Sequence, residues 1–169
     1  IAVARFHPQK SIDRLIYAVD YVKKKGVKIN CTLIGGGELE ESLKNQVSEL
    51  GLDNDVCFMG YKTNPYNYIR GADLFVLSSL YEGYPTIVLE SFLSGTPVLA
   101  MSVAGVNEQI LHEYEGEIVD NDQNALNEAL YALASNKQKV DSWKKQLSNY
   151  KSENEIVLKQ LEGVFNGNK

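Results

Sequence analysis

The sequence is poor in the residues that usually carry metal, redox or membrane chemistry. It has two cysteines and two histidines among 169 residues. Cys31 and Cys57 stand in separate apolar runs, where buried free thiols are the plain reading and a disulfide or ligand pair is not. His7 and His112 have no second ligand at metal spacing, so no metal is expected. No apolar run approaches the ~20 residues of a membrane-spanning helix, and no signal peptide is visible. Basic residues are in the minority. With 17 Lys and Arg against 22 Asp and Glu, net charge −5 and no basic stripe, nucleic acid is not an expected partner. Apolar residues are not scarce: 44% hydrophobic and 23% charged argues for a folded domain, and the length fits one.

Glycine is missing where a dinucleotide fold would need it. The loop after the first apolar run is Arg5-Phe6-His7-Pro8-Gln9-Lys10, so the GxGxxG fingerprint is absent there. No GxxxxGK[ST] loop exists either, which disfavours NAD and simple ATP folds. The only glycine cluster, Gly35-Gly36-Gly37, reads first as a tight turn.

What is present is a regular alternation. Ile1–Arg5, Ile29–Ile34, Asp55–Met59, Asp73–Leu77, Val98–Met101 and Glu117–Val119 read as short buried strands. Between the first two, Ser11 is the expected N-cap of a helix whose apolar face is Ile12, Leu15, Ile16, Val19 and Val22, ended by Gly26. A second helix, with Glu38, Glu40 and Glu41 in its first turn, buries Leu39, Leu43, Val47 and Leu50. Short helices are expected from Asn64 to about Arg70, over Thr86–Leu93, and from Gly105 to near His112. Another is expected over Ala125–Ala134. Residues 1–136 then form a Rossmann-like domain. Residues 137–169, with Trp143, Leu147, Ile156, Leu158, Leu161 and Phe165 at loose helical spacing, form a less well packed helical tail of it. Strands alternating with helices predict a doubly wound α/β fold with a parallel sheet of about six strands in the order 3-2-1-4-5-6. The crevice of that order opens beyond the carboxyl ends of strands one and four. Arg5 and Lys10 follow the first of these strands; Glu82, Gly83, Tyr84, Pro85 and Thr86 follow the other. Two cations therefore face a helix N-terminus, an arrangement suited to an anion. Glu90 lies one and a half to two turns into that helix.

Glu82-x7-Glu90, in the context EGYPTIVLE and SGTPVLA, resembles the Glu-x7-Glu motif of retaining GT-B glycosyltransferases, glycosyltransferase group 1 or family 4. VARFHPQKS is similar to the first-strand motif of that family, whose Arg and Lys bind the donor's diphosphate; the matching residues are Arg5 and Lys10. Ala4 and Ser11 depart from it, standing where glycines are common. CFMGYKTNPYNYIRGADLFVLSS is similar to the segment whose Gly-Tyr lies near the nucleobase, here Gly60 and Tyr61. The resemblance covers the carboxyl-terminal, donor-binding half of such enzymes. It implies that Glu90 holds the ribose hydroxyls and that Glu82 with Gly83–Thr86 approaches the donor sugar. It implies catalytic roles for Glu82, Arg5 and Lys10, and transfer of a sugar from a nucleoside diphosphate sugar to an acceptor hydroxyl in glycan or glycolipid synthesis, without a metal or other cofactor. The acceptor-binding amino-terminal domain is then missing from this chain, which begins at Ile1 within a strand, and the chain alone is expected to be inactive. A cytoplasmic location is implied, with peripheral membrane contact and a membrane-associated acceptor lipid left to the missing domain. A sugar-nucleotide 2-epimerase or a non-catalytic binding module on the same fold stays open.

Each residue also has an ordinary reading. Glu82 can accept from the N–H groups of its own helix, Glu90 can be a solvated helix residue, Arg5 and Lys10 can be surface charges, and Tyr61 can cap the core.

Overall fold

The computed structural model describes residues 1–110, 114–148 and 150. Six strands and seven α-helices alternate among them: β1 (Ala2–Val3), α1 (Ile12–Lys24), β2 (Cys31–Ile34), α2 (Glu40–Glu49), β3 (Val56–Phe58), α3 (Tyr66–Gly71), β4 (Phe75–Leu77), α4 (Thr86–Leu93), β5 (Val98–Met101), α5 (Ala104–Asn107), β6 (Gly116–Val119), α6 (Gln123–Ser135) and α7 (Lys137–Leu147). A short 3-10 turn, Pro8–Lys10, separates β1 from α1.

All strand pairs are parallel, β1-β2-β3 on one side and β4-β5-β6 on the other. The halves meet at Ile1. Its nitrogen donates to the Leu74 carbonyl (2.8 Å), and its carbonyl accepts from the Val76 N–H (2.9 Å). The spatial order is therefore 3-2-1-4-5-6, as the alternation predicted. The chain has a Rossmann-like, doubly wound α/β fold.

Period-2 alternation along the strands divides the core between the two faces of the sheet. Val76, Leu99 and Met101 join the face covered by α1, α2 and α6, where Leu15, Ile16, Val19, Leu126 and Leu130 are buried. Phe75, Leu77, Val98 and Ala100 point the other way, onto Ile69, Val88, Phe92 and Val106 from α3, α4 and α5. Helix α4 forms over the expected residues. It ends in a Schellman cap, in which the Gly95 N–H donates to Phe92 O (2.9 Å) and the Thr96 N–H to Ser91 O (3.0 Å).

Four expectations need correction. Ser11 stands before α1 but does not cap it. It adopts φ +45°, and its hydroxyl donates to Pro8 O instead (3.0 Å). It is the one non-glycine residue with positive φ among the described residues, and it occupies the position where the resembling family favours glycine. Cys57 is exposed, because β3 is an edge strand and its middle residue faces away from the core; only Cys31 is buried. Helix α5 starts one residue before Gly105 and stops at Asn107; its expected end near His112 lies outside the described residues. Helix α7 is not loosely packed. Val140, Trp143 and Leu147 at i, i+3 and i+7 form one stripe, and Trp143 is 1% exposed. Ile156, Leu158, Leu161 and Phe165 lie outside the described residues.

Candidate functional site

The crevice is built by two loops beyond the carboxyl ends of β1 and β4, and hydrogen bonds fasten one to the other. The Leu80 N–H donates to Gln9 O (2.9 Å), Gln9 Nε2 donates to Tyr81 O (3.0 Å), and the Ser78 hydroxyl donates to Lys10 O (3.0 Å). On its far side the β4 loop is held from β6. Asn121 Nδ2 donates to Leu80 O (3.2 Å), and Asn121 is held in turn by Arg14 Nη1 donating to its Oδ1 (2.7 Å). The backbone of α5 packs against the Glu82–Gly83 backbone. A Cβ on Gly105 would lie 1.4 Å from Gly83 O, so only glycine lets α5 pack this closely under Glu82–Gly83.

Within this frame Lys10 and Glu82 meet. Lys10 Nζ donates to Glu82 Oε1 at 2.6 Å, with side-chain exposures of 26% and 7%. The Ser79 hydroxyl donates to the same oxygen at 2.6 Å. Oε2 has no partner among the described residues. The ordinary readings of Glu82 as a cap of its own helix and of Lys10 as a solvated charge therefore fail; the two form a partly buried pair across the crevice. Arg5 is exposed, and its guanidinium has no hydrogen-bond or ion-pair partner among the described residues.

Helix α4 begins at Thr86 with Pro85 in the N-cap position, and no side chain caps its first N–H groups. These donors and the positive end of the helix dipole are left for another acceptor. Glu90 is one turn along, nearer than expected, and its carboxylate turns back to accept from the Thr86 hydroxyl (3.1 Å). Gly83 and Tyr84 are exposed beside it, Tyr84 at 67%.

The turns after β2 and β3 complete the rim. Gly35 packs so tightly that a Cβ there would lie 1.8 Å from Ala4 O, and the Phe6 N–H donates to Gly36 O (2.9 Å). The Gly35 N–H in turn donates to Gly60 O (3.0 Å), which brings Gly60 and Tyr61 to the same end of the sheet. Tyr61 is 81% exposed, so it does not cap the core. A cavity of about 520 Å³ opens instead at the other end of the sheet, among Ile1, Cys31, Thr32 and Asp73, and contains none of these crevice residues. Among the described residues no three His, Cys, Asp or Glu cluster as a metal site would need, and no helix is long and apolar enough to cross a membrane.

Sequence spacing located Arg5, Lys10, Glu82 and Glu90 but missed Ser79, Gln9, Asn121 and Gly105. Serine three residues before the glutamate was the one local signal available for Ser79. The others act through contacts that only the folded sheet creates.

The family model for glycosyl transferases group 1 matches residues 1–150. The chain belongs to this family. The UDP-Gal:alpha-D-GlcNAc-diphosphoundecaprenol alpha-1,3-galactosyltransferase of Escherichia coli is 28% identical over 139 residues, 80% of this chain and 36% of that protein. The structure of S. aureus TarM, solved with UDP and alpha-GlcNAc-glycerol, superposes with a TM-score of 0.84 at 25% identity, over 98% of this chain and 35% of TarM. The C-terminal domain of the group 1 glycosyl transferase LpcC from Francisella tularensis shares the fold at a TM-score of 0.76 and 21% identity, over 86% of this chain and 80% of that domain. Against the galactosyltransferase and TarM, the group 1 domain here spans about a third of the longer chain.

Proposed function

We propose that this domain binds a nucleoside diphosphate sugar and that the full-length protein is a retaining, family 4 glycosyltransferase acting in glycan or glycolipid synthesis. The observation that carries this reading is the meeting of Lys10 and Glu82 across the crevice, where the β1 loop also carries Arg5, without a partner among the described residues, and the β4 loop leads into the uncapped start of α4. In a chain of net charge −5, Arg5, Lys10 and the α4 N–H groups are a local concentration of donors that suits a diphosphate, with Glu82 the internal anion that Lys10 would leave for it. Arg5, Lys10 and the α4 N–H groups at Thr86 would stabilise the diphosphate as it leaves, which is electrostatic catalysis without a metal. Glu90 would accept from the ribose hydroxyls. Glu82, with Gly83, Tyr84 and Pro85, would face the sugar, and Gly60 and Tyr61 the base. UDP in TarM and the lipid-linked acceptor in the name of the E. coli relative support a nucleotide-sugar donor and a membrane-associated lipid among the acceptors. Those names also favour transfer over epimerisation. The acceptor site and any membrane contact belong to sequence outside this domain.

The test is sugar transfer by the full-length protein, together with calorimetric titration of two variants. Glu90→Gln should weaken nucleoside diphosphate binding roughly ten- to hundredfold, the worth of a charged hydrogen-bond partner, and spare pyrophosphate. Arg5→Ala should weaken both ligands. If Glu90→Gln binds nucleotide like wild type, Glu90 is a solvated helix residue and the ribose assignment fails.

A further inference from the structure

We propose that Ser79 is a positioning residue of the transfer site, holding Glu82 in place for the donor sugar when the diphosphate draws Lys10 away. This rests on the function proposed above. Ser79 is 1% exposed, and its hydroxyl spends its one proton on Glu82 Oε1 at 2.6 Å. Lys10 donates to that same oxygen, so both donors converge on one side of the carboxylate, and Oε2 is left without a partner among the described residues. The free oxygen is the one able to accept from a ligand hydroxyl.

The two donors differ in what holds them. Lys10 ends a flexible stem and carries a charge that a diphosphate attracts strongly. Ser79 cannot follow a ligand. It lies in the buried end of the β4 strand–loop segment, next to Ser78, whose hydroxyl is bound to Lys10 O (3.0 Å), and Leu80, whose N–H is bound to Gln9 O (2.9 Å). When Lys10 turns to the phosphates, Ser79 is the remaining donor among the described residues that fixes the carboxylate's rotation. Without it Glu82 loses its orientation, and the cost falls on the step that needs the sugar aligned.

The experiment is steady-state transfer by the full-length protein carrying Ser79→Ala, Ser79→Cys or Ser79→Thr, with calorimetric binding of nucleoside diphosphate lacking a sugar. Ser79→Ala is expected to lower kcat about ten- to hundredfold, the range for losing a hydrogen bond to a charged group, with nucleoside diphosphate affinity within about twofold of wild type. Ser79→Cys keeps the shape with a weak donor and should fall nearly as far; it also reports on the site if the alanine variant folds poorly. Ser79→Thr keeps the hydroxyl and should recover most of the rate. The proposal is overturned if Ser79→Ala transfers sugar like wild type. It is also overturned if Ser79→Thr is as slow as alanine, or if nucleoside diphosphate affinity falls by the same factor as kcat, which would mark general damage to the site. If the wild-type protein binds no nucleoside diphosphate, the underlying function fails, a result distinct from each of these.

Discussion

Removing the charge of Glu82 should strengthen, not weaken, the binding of a bare nucleoside diphosphate. Lys10 meets Glu82 at 2.6 Å with the carboxylate 7% exposed, so a diphosphate must compete with an internal anion for this cation. At that separation two unit charges attract by about 6 kcal/mol at an effective dielectric constant near 20, most of which desolvation offsets. A charge-assisted hydrogen bond is worth ~1.5–3 kcal/mol net. In Glu82→Gln the amide oxygen can still accept from the Lys10 ammonium, but the carboxylate's charge is gone, and the competition falls by about 1–2 kcal/mol. Affinity for nucleoside diphosphate should then rise roughly five- to thirtyfold, while sugar transfer falls because the free carboxylate oxygen is gone. Calorimetric titration of the full-length protein measures the first effect. Lys10→Met should weaken binding on its own and cancel the gain in the double variant, as a double-mutant cycle requires of a coupled pair. Equal or weaker diphosphate binding by Glu82→Gln would refute the reasoning, since Lys10 would then not be shared between the two anions.

Gly105→Ala should lower the melting temperature by several degrees and weaken donor binding. A Cβ 1.4 Å from Gly83 O forces α5 or the Glu82 loop aside, and overpacking of this kind costs about 1–3 kcal/mol. Gly71→Ala, with nothing within 4 Å, is the neutral control, and equal melting of both variants would show that the close packing is unimportant. Within this domain a thiol alkylating agent should modify Cys57 in the native state and Cys31 only in denaturant; a native adduct mapped to Cys31 by mass spectrometry would contradict its burial. Burial also pushes the Cys31 thiol above its ordinary range, so moderately alkaline pH should not expose it to the reagent. Nucleoside diphosphate binding should survive EDTA; its abolition and its recovery with magnesium would overturn the metal-free reading.

Residue pattern alone places the strands to within two residues and marks out the span of α4. The signals for these are local: runs of apolar residues, helical periodicity, and glycines past helix ends. It also placed Arg5, Lys10 and Glu82 at the crevice, because strand order fixes which loops share one edge of the sheet, whereas Glu90 was singled out by the resemblance of its motif. Local pattern could not show that Lys10 and Glu82, 72 residues apart, would pair. That contact exists because β1 and β4 are neighbours and their loops are fastened by Gln9, Ser78 and Leu80. Burial, too, was a tertiary decision. Cys57 and Cys31 sit in similar apolar runs, yet only the central strand covers its cysteine, and Trp143 is buried because α7 lies against the sheet's helical layer. Ser11 shows the same division. Its place before α1 was legible, but its left-handed backbone was not, because the path of the chain through Pro8–Lys10 sets that angle and overrides the usual preference of serine for capping.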